Sequence, residues 1–245
     1  MRRALLALAA LLALVMPAAA AQQAKATFVT NYDLDSTSYT YCVTTGQDGR
    51  AFDAPRQGAA KVSTVGSSTT VAAVTASSGP FTFVSVGDVL FFKIDNVTST
   101  RYVTARASAD SITVDTAINL SADASGYGFT FLKVVCGTTA TDGWIPVTGW
   151  RFKKLVSYIE QMNTTGGIDV RFECRDLTLD TNVIQVYPAS GANNYTAAGI
   201  TSGIAVVLEE PWDECRIGYK ITTSDDGGDT GANQEQIHAY VVVWQ

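Results

Sequence analysis

The chain alternates apolar or β-branched residues with polar residues over much of its length. The stretch YVTARASADSITVDTAINL, residues 102–120, shows this alternation on both sides of a central turn. Ile112 and Val114 fall on one face of the second half, while Thr113 and Asp115 fall on the other. Alternation with a period of two is typical of half-buried strands. The stretch therefore predicts two such strands joined by a tight turn.

More short strands are predicted on either side of this pair. FTFVSVGDVLFFKI, residues 81–94, reads as two strands with a Gly-Asp turn between them, and another strand covers Tyr127 to Val135. Short strands separated by turn residues are typical of all-β barrels and sandwiches. The hydroxyl-rich residues 57–80 form either a flexible linker or a shallow strand pair, and their valines give them some β character. We predict a small barrel-like domain over residues 57–140.

This part of the chain resembles a known group of proteins. VGDVLFF, a short turn and RYVTARASADSITVDTAI together are similar to the small SH3-like β-barrels of phage virion proteins and other surface assemblies. The resemblance extends over about residues 81–135. It implies a barrel fold and a structural role within an assembly.

The second half of the chain, residues 141–245, predicts an antiparallel β-sandwich. In IDVRFEC, residues 168–174, the apolar residues and Cys174 fall on one face and the charged residues on the other. RFKKLVSYIEQM, residues 151–162, fits a helical stripe as well as a strand, and the turn-rich residues after it favour a strand in a hairpin. The region then has about seven strands, as Ig-like and jelly-roll sandwiches do. The predicted fold class is all-β, with a small barrel followed by an antiparallel sandwich.

The N-terminus has the three-part layout of a secretory signal peptide. Two arginines precede the apolar run Leu5–Met16, and a proline and small residues lead to Ala21. The run is shorter than the ~20 residues that a spanning helix needs, so cleavage after Ala21 is favoured over a retained anchor. We expect a signal peptide at residues 1–21, an N-terminal arm with the first strand at 22–56, and a secreted or cell-surface protein of bacterial type.

The charge of the chain argues against a nucleic-acid partner. The formal net charge is −6, and phosphate contacts need clustered Lys and Arg. The main basic cluster, Arg151, Lys153 and Lys154, is interpreted as a solvated strand face. No segment after the leader is long and apolar enough to span a bilayer. We expect neither nucleic-acid binding nor a membrane span in the mature chain.

The four cysteines predict two disulfides, because an even number in an exported chain is typical of oxidised pairs. Three connectivities are open, and we favour Cys42–Cys136 and Cys174–Cys215. Cys174 and Cys215 share the inward face of one predicted domain, which suggests a bond between its two sheets. Cys42 and Cys136 bracket the barrel. The absence of CxxC spacing and the single histidine argue against structural zinc.

The sequence offers no convincing catalytic group, so we expect a protein that is not an enzyme. His238 would have to serve any serine triad, yet no GxSxG elbow occurs and His238 falls on the polar face of its strand. LEEPWDEC places Glu209, Glu210, Asp213 and Glu214 beside Trp212, and glycoside hydrolysis uses two such carboxylates. The favoured interpretation of this cluster is a plain loop at a strand end.

Two further groups are candidate ligand contacts. Asp225, Asp226 and Asp229 lie in a Gly-rich loop whose carboxylates suit calcium, although a solvated loop is favoured and no other cofactor is expected. Aromatic side chains beside turns stack on sugar rings or anchor protein partners. This property predicts a platform for a polysaccharide or a partner, made of Trp212, Tyr195 and Tyr187.

The terminal strand completes the functional hypothesis. If the apolar AYVVVW is an open sheet edge, it needs a partner strand; the alternative is a central strand of its own sandwich. We predict a non-enzymatic structural or surface protein that forms a homo-oligomer or joins a larger assembly. The alternatives are a carbohydrate-binding module or adhesin, with or without calcium in the acidic loop, a virion decoration or fibre protein, and a secreted hydrolase. The predicted assembly strand consists of Ala239, Tyr240, Val241, Val242, Val243 and Trp244.

Overall fold

The structure is a computed structural model, and it describes residues 24–31, 36–161, 167–178, 180–188, 193–195, 204–222 and 236–245. The fold is all-β with antiparallel sheets, which confirms the predicted class. The leader, residues 1–21, lies outside the described residues. The strands are β1 Ala24–Asn31, β2 Thr40–Thr45, β3 Arg56–Gln57, β4 Val62–Ser63, β5 Ser67–Ala73, β6 Val89–Ile94, β7 Val97–Arg106, β8 Ser111–Asn119, β9 Phe129–Gly137, β10 Ile145–Pro146, β11 Phe152–Gln161, β12 Ile168–Asp176, β13 Asp180–Tyr187, β14 Asn193–Tyr195, β15 Ile204–Leu208, β16 Glu214–Ile221 and β17 Gln236–Trp244.

The strands from β3 to β9 form the barrel. The hydrogen-bonded order is β9-β6-β7-β8-β5-β4, and β3 adds to β9. Val62 of β4 then bonds back to Tyr127, just before β9, which closes the ring of strands. The opening pattern is confirmed, because β7 and β8 pair and the side chains of Ile112 and Val114 are buried. The barrel core consists of Val62, Val71, Phe81, Val84, Leu90, Phe92, Val103, Ile112, Val114, Ile118, Leu120, Phe129 and Phe131.

The sandwich packs a four-stranded sheet, in the order β1-β17-β11-β15, over the β13-β12-β16-β2-β9 part of the longer sheet. Residues 151–162 contain the strand β11, so the strand interpretation is confirmed over the helix. β1 and β2, which belong to the predicted N-terminal arm, pair with the sandwich strands β17 and β16. The sandwich is therefore built from chain on both sides of the barrel. Its core includes Leu155, Ile168, Val170, Phe172, Ile217, Tyr219, Ile237, Ala239, Val241 and Val243.

β9 connects the two halves. Its first residues pair with β6 inside the barrel, and its last residues, Lys133 to Gly137, pair with β2 in the sandwich. Asp88 lies at this transition, fully buried, and accepts hydrogen bonds from Lys133 Nζ at 2.8 Å and Val134 N at 3.0 Å. A buried carboxylate needs such partners. Asp88 thus ties the β6 end of the barrel to the middle of β9.

The prediction of an open assembly edge at the C-terminus is wrong. β17 pairs with β1 on one side and with β11 on the other, so it is a central strand. Its alternate side chains are fully buried in the sandwich core. The apolar pattern reflects burial within its own fold, since the chain before the barrel covers the edge. The residues concerned are Ala239, Tyr240, Val241, Val242, Val243 and Trp244.

Both predicted disulfides are present, Cys42–Cys136 and Cys174–Cys215. Cys42 stands directly opposite Cys136 on β2 and β9, and Cys174 opposite Cys215 on β12 and β16. Each bond therefore joins neighbouring strands of one sheet, and the expected bond between two sheets is wrong. Cys136 is exposed, whereas the other three cysteines are fully buried.

Candidate functional sites on the sandwich

The sheet face that points away from the sandwich core carries rows of opposite charges. Asp169 on β12 stands opposite Lys220 on β16, and Glu173 stands opposite Arg216. The Arg216 Nε to Glu173 Oε2 distance is 2.8 Å, and the Lys220 Nζ to Asp169 Oδ2 distance is 3.4 Å. Opposite charges directly across an antiparallel pair stabilise the sheet. The charged half of the IDVRFEC alternation thus forms cross-strand ion pairs.

Aromatic rings from the N-terminal arm cover these charges. Gly218 of β16 stands opposite Tyr41, and a Cβ at Gly218 would lie 2.7 Å from Cε1 of that ring, so only glycine leaves room for it. The Arg171 guanidinium carbon lies 3.7 Å from the Tyr39 ring centroid, and that of Arg216 lies 3.6 Å from the Tyr41 centroid. Both distances suit cation–π attraction. We call this set the outer-face network; it consists of Tyr39, Tyr41, Trp144, Asp169, Arg171, Glu173, Arg175, Arg216, Gly218 and Lys220.

Arg216 is the best-satisfied charge of the network. It is 4% exposed, and its Nη1 donates to the carbonyls of Thr139 at 3.2 Å, Ala140 at 3.1 Å and Asp142 at 3.1 Å. Its guanidinium also lies 4.3 Å from the Trp144 ring centroid. Buried charges are tolerated when paired and fully hydrogen-bonded. Arg216 therefore holds the loop after β9 against the sandwich.

Burial raises the pKa of both tyrosines of the network above the ordinary tyrosine value. Burial raises the pKa of Tyr41, although its hydrogen bond from Arg171 opposes the shift. Burial also raises the pKa of Tyr39, and the Asp169 carboxylate adds to the effect. The Trp144 ring also contacts a cation, since the guanidinium carbon of Arg175 lies 4.2 Å from the ring centroid. These contacts give the outer-face network a stabilising role.

A second concentration of polar and aromatic groups lies at one end of the sandwich. Two loops, residues 147–151 before β11 and 209–213 before β16, border an open cavity of about 420 Å³. This volume falls in the range of about 300–1,000 Å³ found for ligand pockets. We call it the end cleft; its walls are Thr148, Gly149, Trp150, Arg151, Lys153, Glu209, Pro211, Trp212 and Asp213.

Asp213 fixes the shape of the end cleft. Its Oδ1 accepts from the Thr148 hydroxyl at 3.1 Å, and its Oδ2 accepts from the Leu177 backbone N–H at 2.8 Å. Its own carbonyl accepts from Val147 N at 2.7 Å. One side chain and its backbone thus join both cleft loops to the end of β12. Gly149, with φ of 81°, provides the left-handed turn that this loop needs.

The carboxylate cluster predicted for a hydrolase is divided between structural contacts. Glu214 is bound by Arg175 at 2.5 Å and 2.8 Å, and Asp213 is bound as described above. Glu209 is exposed and lines the end cleft, while the Glu210 side chain is exposed outside it. A glycosidase needs one carboxyl group as acid and another as base or nucleophile on either side of the sugar bond. The contacts of Asp213 and Glu214 hold both groups away from that role.

The interpretation of the basic cluster as a solvated strand face is wrong for Lys153. Its side chain lies on the inward face of β11 with Leu155 and Ser157, and it is 1% exposed. Its Nζ reaches the carbonyl of Glu210 at 2.7 Å. Burial lowers the pKa of the Lys153 ammonium, and the Glu210 and Asp213 carboxylates oppose that shift. The cleft therefore has a buried cation in its wall.

The predicted aromatic platform stays a prediction, and the structure places the backbones of its members at separate points along β12. The backbone of Trp212 lies beside the end of β12, since the N–H of the following residue, Asp213, donates to the Arg175 carbonyl at 3.1 Å. Tyr187 pairs with Phe172 and Tyr195 pairs with Ile168 along the same strand. Seven residues of strand span ~23 Å, so Tyr195 and Trp212 are separated along β12 by more than the width of one sugar ring. Trp212 lines the end cleft with Trp150, and both also pack on the sandwich core.

The remaining candidates have mixed outcomes. His238 pairs through its backbone with Thr30 and Tyr158 inside the sheet. Asp225, Asp226 and Asp229 lie outside the described residues. In the described ranges, no group of three or more His, Cys, Asp or Glu side chains could hold a metal ion. Within the same ranges, no helix has the length and apolarity needed to cross a membrane.

Comparison with known proteins adds little to this geometry. No protein-family model matches the chain, and no curated protein matches it. A chain of the T13 IBDV viral particle, known from a crystal structure, is similar at 12% identity and a TM-score of 0.22, over 91% of this chain and 69% of that one. A TM-score of this size supports no inference about fold or function.

Proposed function

We propose that the chain is an exported, non-enzymatic structural protein whose copies join by extending a β-sheet. Its export is supported by the N-terminal leader pattern and by two disulfides, which persist in oxidising compartments. The occupied carboxylates around Trp212 support a role without catalysis. The resemblance of the barrel segment makes a virion decoration or fibre protein one form of the same proposal.

The observation that carries this proposal is the edge strand β13. It pairs with β12 on one side, and among the strands that the structure describes none pairs with its other side. Val183 is 40% exposed and Ile184 is 47% exposed, and Leu177, in the preceding turn, is 48% exposed. An edge strand with exposed apolar side chains is a template for a partner strand.

The position of these side chains favours a second copy as the partner. Val183 and Ile184 are the two central residues of β13, Asp180–Tyr187. Two antiparallel copies of β13 in register would therefore place each Val183 opposite the partner's Ile184. A two-fold interface requires this kind of self-complementarity. The apolar pair would then be covered on both copies.

The experiment measures the mass of the exported, never-denatured protein by size-exclusion chromatography with light scattering, followed by negative-stain microscopy. We expect a dimer or a larger defined assembly. Ile184→Lys should return the protein to a monomer, because a charged edge side chain opposes strand pairing. Val65→Lys is the matched control, since Val65 is 95% exposed on the barrel, and it should leave the assembly intact.

Two outcomes would contradict the proposal. A monomeric wild-type protein over the whole concentration range excludes self-assembly. An assembly that survives Ile184→Lys but is lost in Val65→Lys would move the interface from the sandwich edge to the barrel.

A further inference from the structure

The end cleft has a feature that the assembly proposal does not use. Lys153 Nζ is a buried ammonium with three N–H donors, and the one acceptor that the described structure places on it is the Glu210 carbonyl. Asp213, a carboxylate of the cleft wall, already accepts from Thr148 and Leu177. Two of the three N–H donors of Lys153 therefore have no acceptor among the described residues, and Lys153 is one of the residues that line the cavity.

The rest of the wall indicates what kind of molecule would meet this cation. Trp150 and Trp212 contribute two indole rings, and aromatic rings in such clefts pack against the C–H faces of sugars. Glu209 is exposed at the wall and can accept hydrogen bonds from hydroxyl groups. Arg151 is exposed and lines the cavity, where it adds a second positive charge. Indole surface, a hydroxyl acceptor and two cations together fit a sugar ring that bears a carboxylate.

We propose that the end cleft binds acidic saccharides, with a ring against the tryptophans and its carboxylate on Lys153 Nζ. A carboxylate there completes the hydrogen bonds of the buried ammonium and neutralises its charge. A neutral sugar offers only hydroxyl acceptors, which leaves the buried charge unneutralised. The site thus discriminates by charge as well as by ring shape.

The structure also favours a cleft that exists before the ligand arrives. Asp213 ties both loops to β12, and Lys153 ties the 209–213 loop to β11. Preorganised walls reduce the ordering cost of binding. Saccharide binding should therefore proceed without a large change in the fold.

The test is calorimetric titration of the full exported protein with a galacturonic acid trimer and with its methyl-esterified, neutral form. We expect saturable binding of the acid and about tenfold or greater weakening for the ester, as expected when a charged hydrogen bond is lost. Lys153→Met keeps the apolar stem and should weaken binding of the acid by about tenfold or more. Lys154→Met, at the next position of β11, is the matched control and should bind like the wild type.

Circular dichroism melting shows whether each variant is folded. If Lys153→Met does not fold, Arg151→Gln takes its place, since Arg151 is exposed at the wall, and it should weaken binding of the acid severalfold. The proposal is overturned by equal affinity for acid and ester, by no binding of either, or by equal losses in Lys153→Met and Lys154→Met. The last result would indicate general attraction to surface charge.

Discussion

The barrel and the sandwich are both antiparallel β-structures, but the chain builds them in different ways. The barrel uses one continuous stretch, from β3 to the first half of β9, and neighbouring strands are mostly joined by short turns. The sandwich combines β1 and β2, before the barrel, with β10 to β17, after it. Its pairs β1–β17 and β2–β16 join residues from opposite ends of the chain.

This difference explains where the covalent links are found. Closing a long loop costs more conformational entropy than closing a short one, and non-local strand pairs form late in folding. Both disulfides lie in the sandwich part of the long sheet, where they span sequence separations of 94 and 41 residues. The barrel core relies on packing instead, with Phe81 and Phe92 against Phe129 at centroid distances of 5.3 Å and 5.9 Å.

The largest expected effect comes from a charge placed in the centre of the sandwich. Val241 is fully buried in β17 between β1 and β11. Val241→Asp should destabilise the sandwich by more than about 5 kcal/mol, because a buried, unpaired carboxylate is among the costliest substitutions. Hydrogen exchange followed by mass spectrometry should show β1, β11 and β17 losing protection while β5 to β8 retain it.

The matched control is Val207→Asp on the edge strand β15, where the side chain is 54% exposed. It should change stability by about 0.5 kcal/mol or less, as exposed substitutions usually do. Loss of protection in the barrel together with the sandwich in Val241→Asp would contradict the comparison. It would show that the two cores unfold as one unit.

The disulfides should differ in their resistance to reduction. Cys136 is exposed, whereas Cys174 and Cys215 are fully buried. Thiol–disulfide exchange requires access to a sulfur atom, so Cys42–Cys136 should be reduced first under native conditions. Alkylation with mass-spectrometric readout during a titration with reductant measures the order. The expected cost of losing either bond is about 4 kcal/mol, because each closes a long loop.

Denatured protein is the control for this experiment, since both bonds are then equally accessible. Equal reduction rates in the native protein, or earlier reduction of Cys174–Cys215, would contradict the prediction. Such a result would mean that the sandwich opens at β12 and β16 more readily than reagent reaches Cys136.

The sequence predicts individual strands better than it predicts which distant strands pair, and the sandwich depends on such distant pairs. Alternation in residues 102–120 and 168–174 was sufficient for β7, β8 and β12, because each strand has its buried apolar residues on one face. Alternation says nothing about which strand lies alongside, however. The strand β17 has the same apolar pattern whether its edge is open or covered, and its cover, β1, is more than two hundred residues away along the chain.

The candidate sites were predictable only where residues are adjacent in sequence. Glu209, Trp212 and Asp213 share one loop, and the end cleft includes all three. Lys153 reads from sequence as one of a solvated basic cluster, and only the position of the 209–213 loop shows that it is buried. Tyr39 and Tyr41 likewise gave no signal of their role. Their cation partners come from β12 and β16, and Gly218 is the one local hint of a ring lying across the strand.

The smallest expected effect concerns the outer-face network, and it depends on pH. Burial raises the pKa of Tyr41 above the value of about 10 that it has in the unfolded chain. Between these two values the folded state binds more protons than the unfolded state, so stability falls as pH rises above about 10. Tyr41→Phe should be less stable than the wild type by about 1 kcal/mol near pH 8, because the Arg171 hydrogen bond is lost.

The stability gap between Tyr41→Phe and the wild type should then narrow as pH rises from about 10 toward 11, since only the wild type has Tyr41 to deprotonate. Urea unfolding at pH 8, 10 and 11 measures the gap. Comparing the two proteins at each pH removes the contribution of Lys153, whose lowered pKa acts in the opposite direction in this range. The stability gap between Tyr39→Phe and the wild type should also narrow as pH rises, because burial raises the pKa of Tyr39 as well. A stability gap that stays constant or widens would show that Tyr41 is exposed to solvent in solution.

The outer-face network would then lie at the surface of the sandwich, like the exposed charges of the barrel.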